Sequence, residues 1–283
     1  MGYARSQQNT IFHAVVAKDG TGDYTTVQSA IDAVPENLKS PWLIFVTNGS
    51  YAEQVIIPQN KPFIHLIGQD KERTIIHLKL NVGGKPDANT KDLAYWHYSV
   101  HNPKSAVSHF EGAVVNINAS DFYSENISYV NDWGLEAQNG PQALALKTKA
   151  DRIAFYNCKF RSFQDTWMTT TRDADRHYVK ECWLEGAVDY FYGGGNALVE
   201  ESTLYNVRSG SVIVAPCHES VKYGYVFRNC VIDGNEQAAD GKLKLGRPWH
   251  NSPKAVYINT LVKIPLAPEG WTNMGTIPAL FAE

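Results

Sequence analysis

The chain has 283 residues, of which 43% are hydrophobic and 19% charged, a profile that supplies enough apolar material for a sizeable core. Its 26 basic and 29 acidic side chains are interspersed and leave a formal net charge of -3, which excludes the basic footprint of a nucleic-acid or anionic-membrane binder. No apolar run approaches the roughly 20 residues that span a bilayer, and the opening MGYARSQQNTIFHAVVAKDG lacks an apolar stretch of signal-peptide length.

The first clear element is YTTVQSAIDAVP, where Val27, Ala30, Ile31 and Val34 follow helical spacing, Thr25 and Gln28 have the spacing of a capping box, and Pro35 ends the run. Further along, NVGGKPDANTKDLAYWHYSVHNPKSAVSHF (81–110) has no strand or helix periodicity and reads as a long loop. Within it, Tyr95, Trp96, His97 and Tyr98 suit either a packed loop or a sugar platform at a cleft edge, and the packed loop is the expectation. No linker or shift of composition divides the chain, so one domain covering 1–283 is expected.

The second half carries a repeat. Five segments, YSENISY, FYNCKF, VKECWL, VFRNCVI and VYINTLV, superpose with Asn126, Asn157, Glu181, Asn229 and Asn259 in one column. The next column then holds Ile127, Cys158, Cys182, Cys230 and Thr260, and LVEESTLY fits between with Glu201 and Ser202. Spacings of 20 to 31 residues, with short alternating strands and no helical pattern between them, predict an all-β fold: a parallel β-helix whose small residues stack inward. A β-sandwich with coincidental cysteine spacing is the rival. The N-terminal helix would cover the open apolar end of the first coil.

The four cysteines, which include Cys217, show no C-x-x-C spacing and the nine histidines no H-E-x-x-H set. The cysteines are expected as packing residues, with no metal and no cofactor.

The repeat gives meaning to two aspartates. Asp165 lies seven residues after Cys158 and Asp189 seven after Cys182, so they share a phase. If the cysteines stack on neighbouring coils, the carboxylates stack as well, about 4.8 Å apart. Two carboxylates that close do not readily both ionise, which yields one acid and one base. Arg247, in LGRPW two coils later, offers a cation to fix which is charged. Solvated turn aspartates remain the alternative. The pair suits a retaining glycosidase or an ester hydrolase with a carboxylate nucleophile. An oxyanion hole separates the two, and Gln164, beside Asp165, and Gln142, one coil earlier in NGPQALALK, are candidate amide donors.

At this point GTGDYTTVQSAIDAVP, NGSYAEQVII, GPQALALK, FRSFQDTW, EGAVDYFYGGGNA and LGRPW, in this order, identify a resemblance that covers most of the chain. The sequence resembles the pectin methylesterases (pectinesterases, carbohydrate esterase family 8). The resemblance implies a right-handed parallel β-helix with a short N-terminal capping helix, and hydrolysis of methyl esters in methylated polygalacturonate to carboxylate and methanol. It implies Asp189 as nucleophile, Asp165 as acid and base, Gln142 and Gln164 as oxyanion donors, and Arg247 as the partner that keeps Asp189 ionised. Trp249 is implied in the sugar-binding wall, with Trp167 and Phe191 expected to contact substrate beside it. The family reads D-F-I-F-G and Q-D-T-L-Y where this chain reads DYFYG and QDTWM, so Trp167, Met168, Phe191 and Tyr192 are expected to reshape the cleft. Ser108 or His109 stands where the family has a substrate-contacting Thr.

A polysaccharide, methylated homogalacturonan, is the expected partner, with no nucleic acid or membrane, and the protein is expected as a secreted or periplasmic monomer. A further segment is expected after EGWTNMG, so the C-terminal end is expected to be incomplete. The rivals are a polygalacturonase or pectate lyase on the same architecture, or a non-catalytic carbohydrate-binding solenoid. Hydrolases of that kind would need more acids and lyases a calcium cluster with a basic residue, and neither is evident in the sequence.

Overall fold

A computed structural model describes residues 12–80, 112–140, 142–170 and 172–283. Its short strands assemble into three parallel sheets, with ten, eight and seven strands among the described residues. Each sheet takes one strand from each successive turn of the chain: in the first, Phe122–Glu125, Ile153–Tyr156, Arg176–Lys180, Asn196–Glu200 and Tyr225–Arg228 lie side by side in sequence order. This is a parallel β-helix, and the β-sandwich rival falls with it.

The corner between the first and second sheets explains the repeat. Asn126, Asn157, Glu181, Glu201, Asn229 and Asn259 all have φ between 49° and 57°, the left-handed region. One such residue turns the chain sharply between two strands, and Asn is among the few side chains that tolerate it. Stacking one above another lets the corner residues bond to each other: Asn157 Nδ2 donates to Asn126 Oδ1 at 2.7 Å. The residue after the first five of these corners points inward, and Ile127, Cys158, Cys182, Ser202 and Cys230 are all buried, whereas Thr260, expected in the same column, is half-buried at the last coil. The cysteines are free thiols, three of them buried as packing residues and Cys217 half-buried.

Aromatic rings fill the centre of the coils. Phe155 meets Trp167 edge to face at 5.1 Å, Trp167 meets Phe191 likewise at 5.1 Å, and Phe227 stacks on Tyr257 at 4.7 Å. Such pairs contribute about 0.5–1.5 kcal/mol each beyond the area they bury, so the axis of the solenoid is continuous and stiff.

The N-terminal helix spans Val27–Asp32 and buries Val27, Ala30 and Ile31. The expected capping box of Thr25 with Gln28 is displaced by one residue: Thr26 is the N-cap and accepts from Ser29 N, while Gln28 donates to Asp32 and Ile56 O. The remaining helix-end donors are met from the next coil. Glu53, the acid of NGSYAE, accepts from both Val27 N and Gln28 N, at 2.8 and 2.9 Å. At the other end Lys61 Nζ donates to Ile31 O and Asp32 O. Unsatisfied helix-end groups are costly in a buried setting, and these two side chains fasten the cap onto the coil beneath it.

Candidate active site

The seven-stranded sheet carries the two aspartates. Its strands run Val55–Ile57, Ala113–Ile117, Leu144–Thr148, Trp167–Met168, Val188–Gly193, Val212–Pro216 and Lys244–Gly246, adjacent in that order. Trp167 pairs with Phe191 and Met168 with Tyr192, which sets Asp165 and Asp189 at the same level on neighbouring coils.

Asp165 interrupts its strand and Asp189 distorts the strand that contains it. Asp165 has φ 62° and Asp189 φ 50°. The strand holding Asp165 reduces to an isolated bridge between Gln164 and Val188 followed by Trp167–Met168, and the register beyond Asp189 shifts between Val188 and Phe191. The left-handed residue kinks the strand at each aspartate. Non-glycine residues there cost of order 1–3 kcal/mol and persist only where the surroundings enforce them. Close approach around the kink also demands Gly186, where a Cβ would lie 2.3 Å from that of Tyr190.

The two carboxyl groups sit in different electrostatic surroundings. Arg247 follows the strand two coils beyond Asp189 and holds that carboxylate with two bonds, Nε to Oδ1 at 2.9 Å and Nη2 to Oδ2 at 2.6 Å. Asp189 is only 6% exposed, and a two-pronged guanidinium pairs best with a full carboxylate anion. Burial holds the Asp165 carboxyl well above the usual carboxylate range, the facing Asp189 adds to this, and the Tyr192 hydroxyl and Arg247 act in the opposite direction. The hydrogen bonds to Asp189 raise Arg247 above its ordinary value. One carboxylate is thus matched to a permanent cation while its neighbour favours its proton.

The glutamines lie beside the pair. Gln164 precedes Asp165, and its carbonyl accepts from Ala143 N at 3.0 Å, which brings the half-buried Gln142 segment alongside. Gly140 keeps this corner open, since a Cβ there would stand 3.3 Å from Gln164 Oε1.

Trp249 is half-buried and meets Tyr192 edge to face at 5.6 Å. Together with Met168 it packs against Leu144, Ala113, Ala215 and Tyr192 as an apolar wall separate from the main core. Trp167 and Phe191 are a correction to the sequence reading: both are 0% exposed and face the coil interior, so neither reaches a ligand in the cleft. Trp167 donates through Nε1 to Thr148 Oγ1 inside the coil. Strict alternation would place residues 167 and 191 on the face of Asp165 and Asp189, but the left-handed kinks break that alternation. Met168 and Tyr192 take the outward positions instead. Ser108, His109 and the Tyr95–Trp96–His97–Tyr98 run lie outside the described residues.

A family model described as pectinesterase matches residues 13–95 and 97–280. The chain belongs to the pectinesterase family. Pectinesterase 31 of Arabidopsis thaliana is 33% identical over 262 residues, covering 92% of this chain and 76% of its own. The pectin methylesterase of Aspergillus niger superposes with a TM-score of 0.77 at 26% identity, over 98% of this chain and 84% of that one. A pectin methylesterase solved in complex with a hexasaccharide has the same fold, with a TM-score of 0.73 at 22% identity over 96% of this chain and 90% of that one. The two aspartates of this pectinesterase lie on its seven-stranded sheet.

Proposed function

We propose that this pectinesterase hydrolyses the methyl esters of galacturonate units in pectin through Asp189 as nucleophile and Asp165 as acid and base. The observation that carries the reading is the two-pronged grip of Arg247 on Asp189 beside a second carboxyl driven toward its protonated form.

In the first half-reaction an Asp189 oxygen attacks the ester carbonyl carbon. Charge collects on the carbonyl oxygen, where the Gln142 and Gln164 amides donate. The tetrahedral intermediate collapses by breaking the bond to the methoxy oxygen, which takes the Asp165 proton and departs as methanol. In the second half, ionised Asp165 removes a proton from water, the resulting hydroxide attacks the acyl carbon of the mixed anhydride, and the Asp189 carboxylate is released with the galacturonate product. Arg247 remains bonded to Asp189 throughout and makes it a better leaving group in the second step. Trp249, with Met168 and Tyr192, forms the wall on which a pyranose ring packs. The oxyanion argument favours ester over glycoside cleavage, since glycoside hydrolysis places no charge on a carbonyl oxygen.

The substrate is then a polymer, methylated homogalacturonan, which requires the enzyme to work outside the cytoplasm, and one solenoid supplies every residue named, as a monomer. Incubation with methylated pectin tests the reading. Methanol release without new reducing ends or ultraviolet-absorbing unsaturated ends is the expected result; reducing ends indicate a glycosidase, unsaturated ends a lyase, and binding without product a carbohydrate-binding module.

A further inference from the structure

A second constellation of catalytic type lies on the eight-stranded sheet, away from the paired aspartates. Ser50 Oγ is 2.7 Å from His77 Nε2, and His77 Nδ1 is 2.5 Å from Asp132 Oδ2. Three separate elements supply these groups. Ser50 lies on the strand Gly49–Ala52, His77 on the adjacent strand Thr74–Leu78, and Asp132 opens the helix Asp132–Ala137 that follows the next strand of the same sheet. Ser50 and His77 are on the outward face, as the alternation of their strands requires, with Tyr51 and Ile76 buried between.

The order of bonds is that of an activated hydroxyl: nucleophile to imidazole, imidazole to an orienting carboxylate. Asp132 fixes the tautomer with the proton on Nδ1 and leaves Nε2 to accept from Ser50. Donors for a developing oxyanion are also in place. In a parallel strand successive N–H groups point to opposite sides. Gly49 N and Glu53 N donate to Arg73 O and His77 O on the neighbouring strand. Ser50 N–H therefore faces the other way, toward what is, among the described residues, the edge of the sheet. Lys18 Nζ stands on that same edge, where it donates to Ser50 O. An ester carbonyl attacked by Ser50 meets one N–H and one ammonium there.

We propose that Ser50, His77 and Asp132 form a second, serine-based esterase site that takes short acyl esters and is independent of the aspartate pair. Ser50 is exposed, and the His77 and Asp132 side chains are 23% and 31% exposed, so the site is open and shallow. Such a surface holds a small acyl group of the acetyl class and gives no grip on a long chain. Ser50 Oγ attacks the acyl carbon while its proton passes to His77 Nε2. The alkoxy group leaves with that proton as an alcohol. Water then attacks the acyl-serine, again giving a proton to His77, and the carboxylic acid departs as Ser50 recovers its hydrogen.

Di-isopropyl fluorophosphate, which forms an oxygen–phosphorus bond with an activated serine and releases fluoride and a proton, tests the site directly on the full chain. Peptide mapping is expected to find Ser50 modified one to one. The rate of modification is expected to fall roughly 100-fold in His77→Gln and about tenfold in Asp132→Asn. It is expected to be unchanged in Asp189→Ala. Ser50→Ala should lose hydrolysis of 4-nitrophenyl acetate while methanol release from pectin persists, which also reports that the variant folds. A Ser50 left unmodified in excess reagent, or modified equally fast without His77, overturns the proposal and leaves these bonds as a brace between strands and helix.

Discussion

Of the columns of left-handed residues that run up this solenoid, two bear comparison. At the corner between the first and second sheets, Asn126, Asn157, Glu181, Glu201, Asn229 and Asn259 repeat on successive coils. On the seven-stranded sheet only Asp165 and Asp189 do so, with φ of 62° and 50°. Backbone conformation and stacking are the same in both places. What differs is the neighbour. At the corner Asn157 donates to Asn126 and the exposed acids Glu181 and Glu201 share Lys180 Nζ at 3.8 and 3.4 Å, whereas Asp165 and Asp189 are largely buried and, as carboxylates, accept only. The corner side chains are held by an amide bond and a partly exposed lysine, and the aspartates by the fork of Arg247 and a retained proton. Stacked kinks thus recur with hydrogen-bonded amides at Asn126 and Asn157, with acids sharing Lys180 at Glu181 and Glu201, and with a largely buried acid pair offset by Arg247 at Asp165 and Asp189.

Substitutions sharpen this contrast. The largest effect is expected for Asp189→Ala, which removes the proposed nucleophile: methanol release should fall by a factor on the order of 10^4 or more with the circular dichroism spectrum unchanged. An active Asp189→Ala enzyme breaks the distinction between the columns.

Asp165→Asn comes next, with kcat lower by roughly 10^2 to 10^4 and KM little altered. It carries a second readout. Because burial raises the Asp165 pKa, the fold favours its protonated form. The corresponding stability is fully present below the unfolded value of about 4 and is lost as pH rises through the raised folded value. Asn cannot ionise, so the variant should melt higher than the wild type at neutral pH, by about 2–4 °C for each kcal/mol recovered. That gain should vanish near pH 3. A melting difference independent of pH would contradict the assignment. The same direction predicts that methanol release declines on the alkaline side as Asp165 loses the proton the leaving group needs.

Arg247→Lys keeps the charge but loses the fork, and is expected to reduce kcat by about 10- to 100-fold while binding changes little. The smallest effect belongs to the other column. Asn157→Ala places a Cβ with no compensating amide in the left-handed region and should cost about 1–2 kcal/mol of stability with methanol release intact. Asn157→Gly relieves the backbone but not the lost amide bond, so chemical denaturation of the pair separates the two terms.

Much of this was readable from residue order. The Asn and Cys columns announce the coils because a sharp corner and a small inward residue must recur on every turn. Asp165 and Asp189 inherit their alignment from Cys158 and Cys182, so counting residues was enough to bring them together. Other features escaped for local reasons. Thr25 and Thr26 are adjacent candidates for one cap, and only the hydrogen bond to Ser29 N distinguishes them. Trp167 and Phe191 look like cleft residues until the kink two positions earlier is known to reverse their direction. Ser50, His77 and Asp132 share no motif; their meeting depends on three coils being in register.

The guanidinium that holds Asp189 comes from 58 residues further along the chain. Both acids are therefore synthesised before the cation that pairs with one of them. Until the coil bearing Arg247 is in place Asp189 lacks its counter-charge, and a buried carboxylate without one is costly. The ion pair ties the surroundings of Asp189 to the docking of a later coil, the one bearing LGRPW.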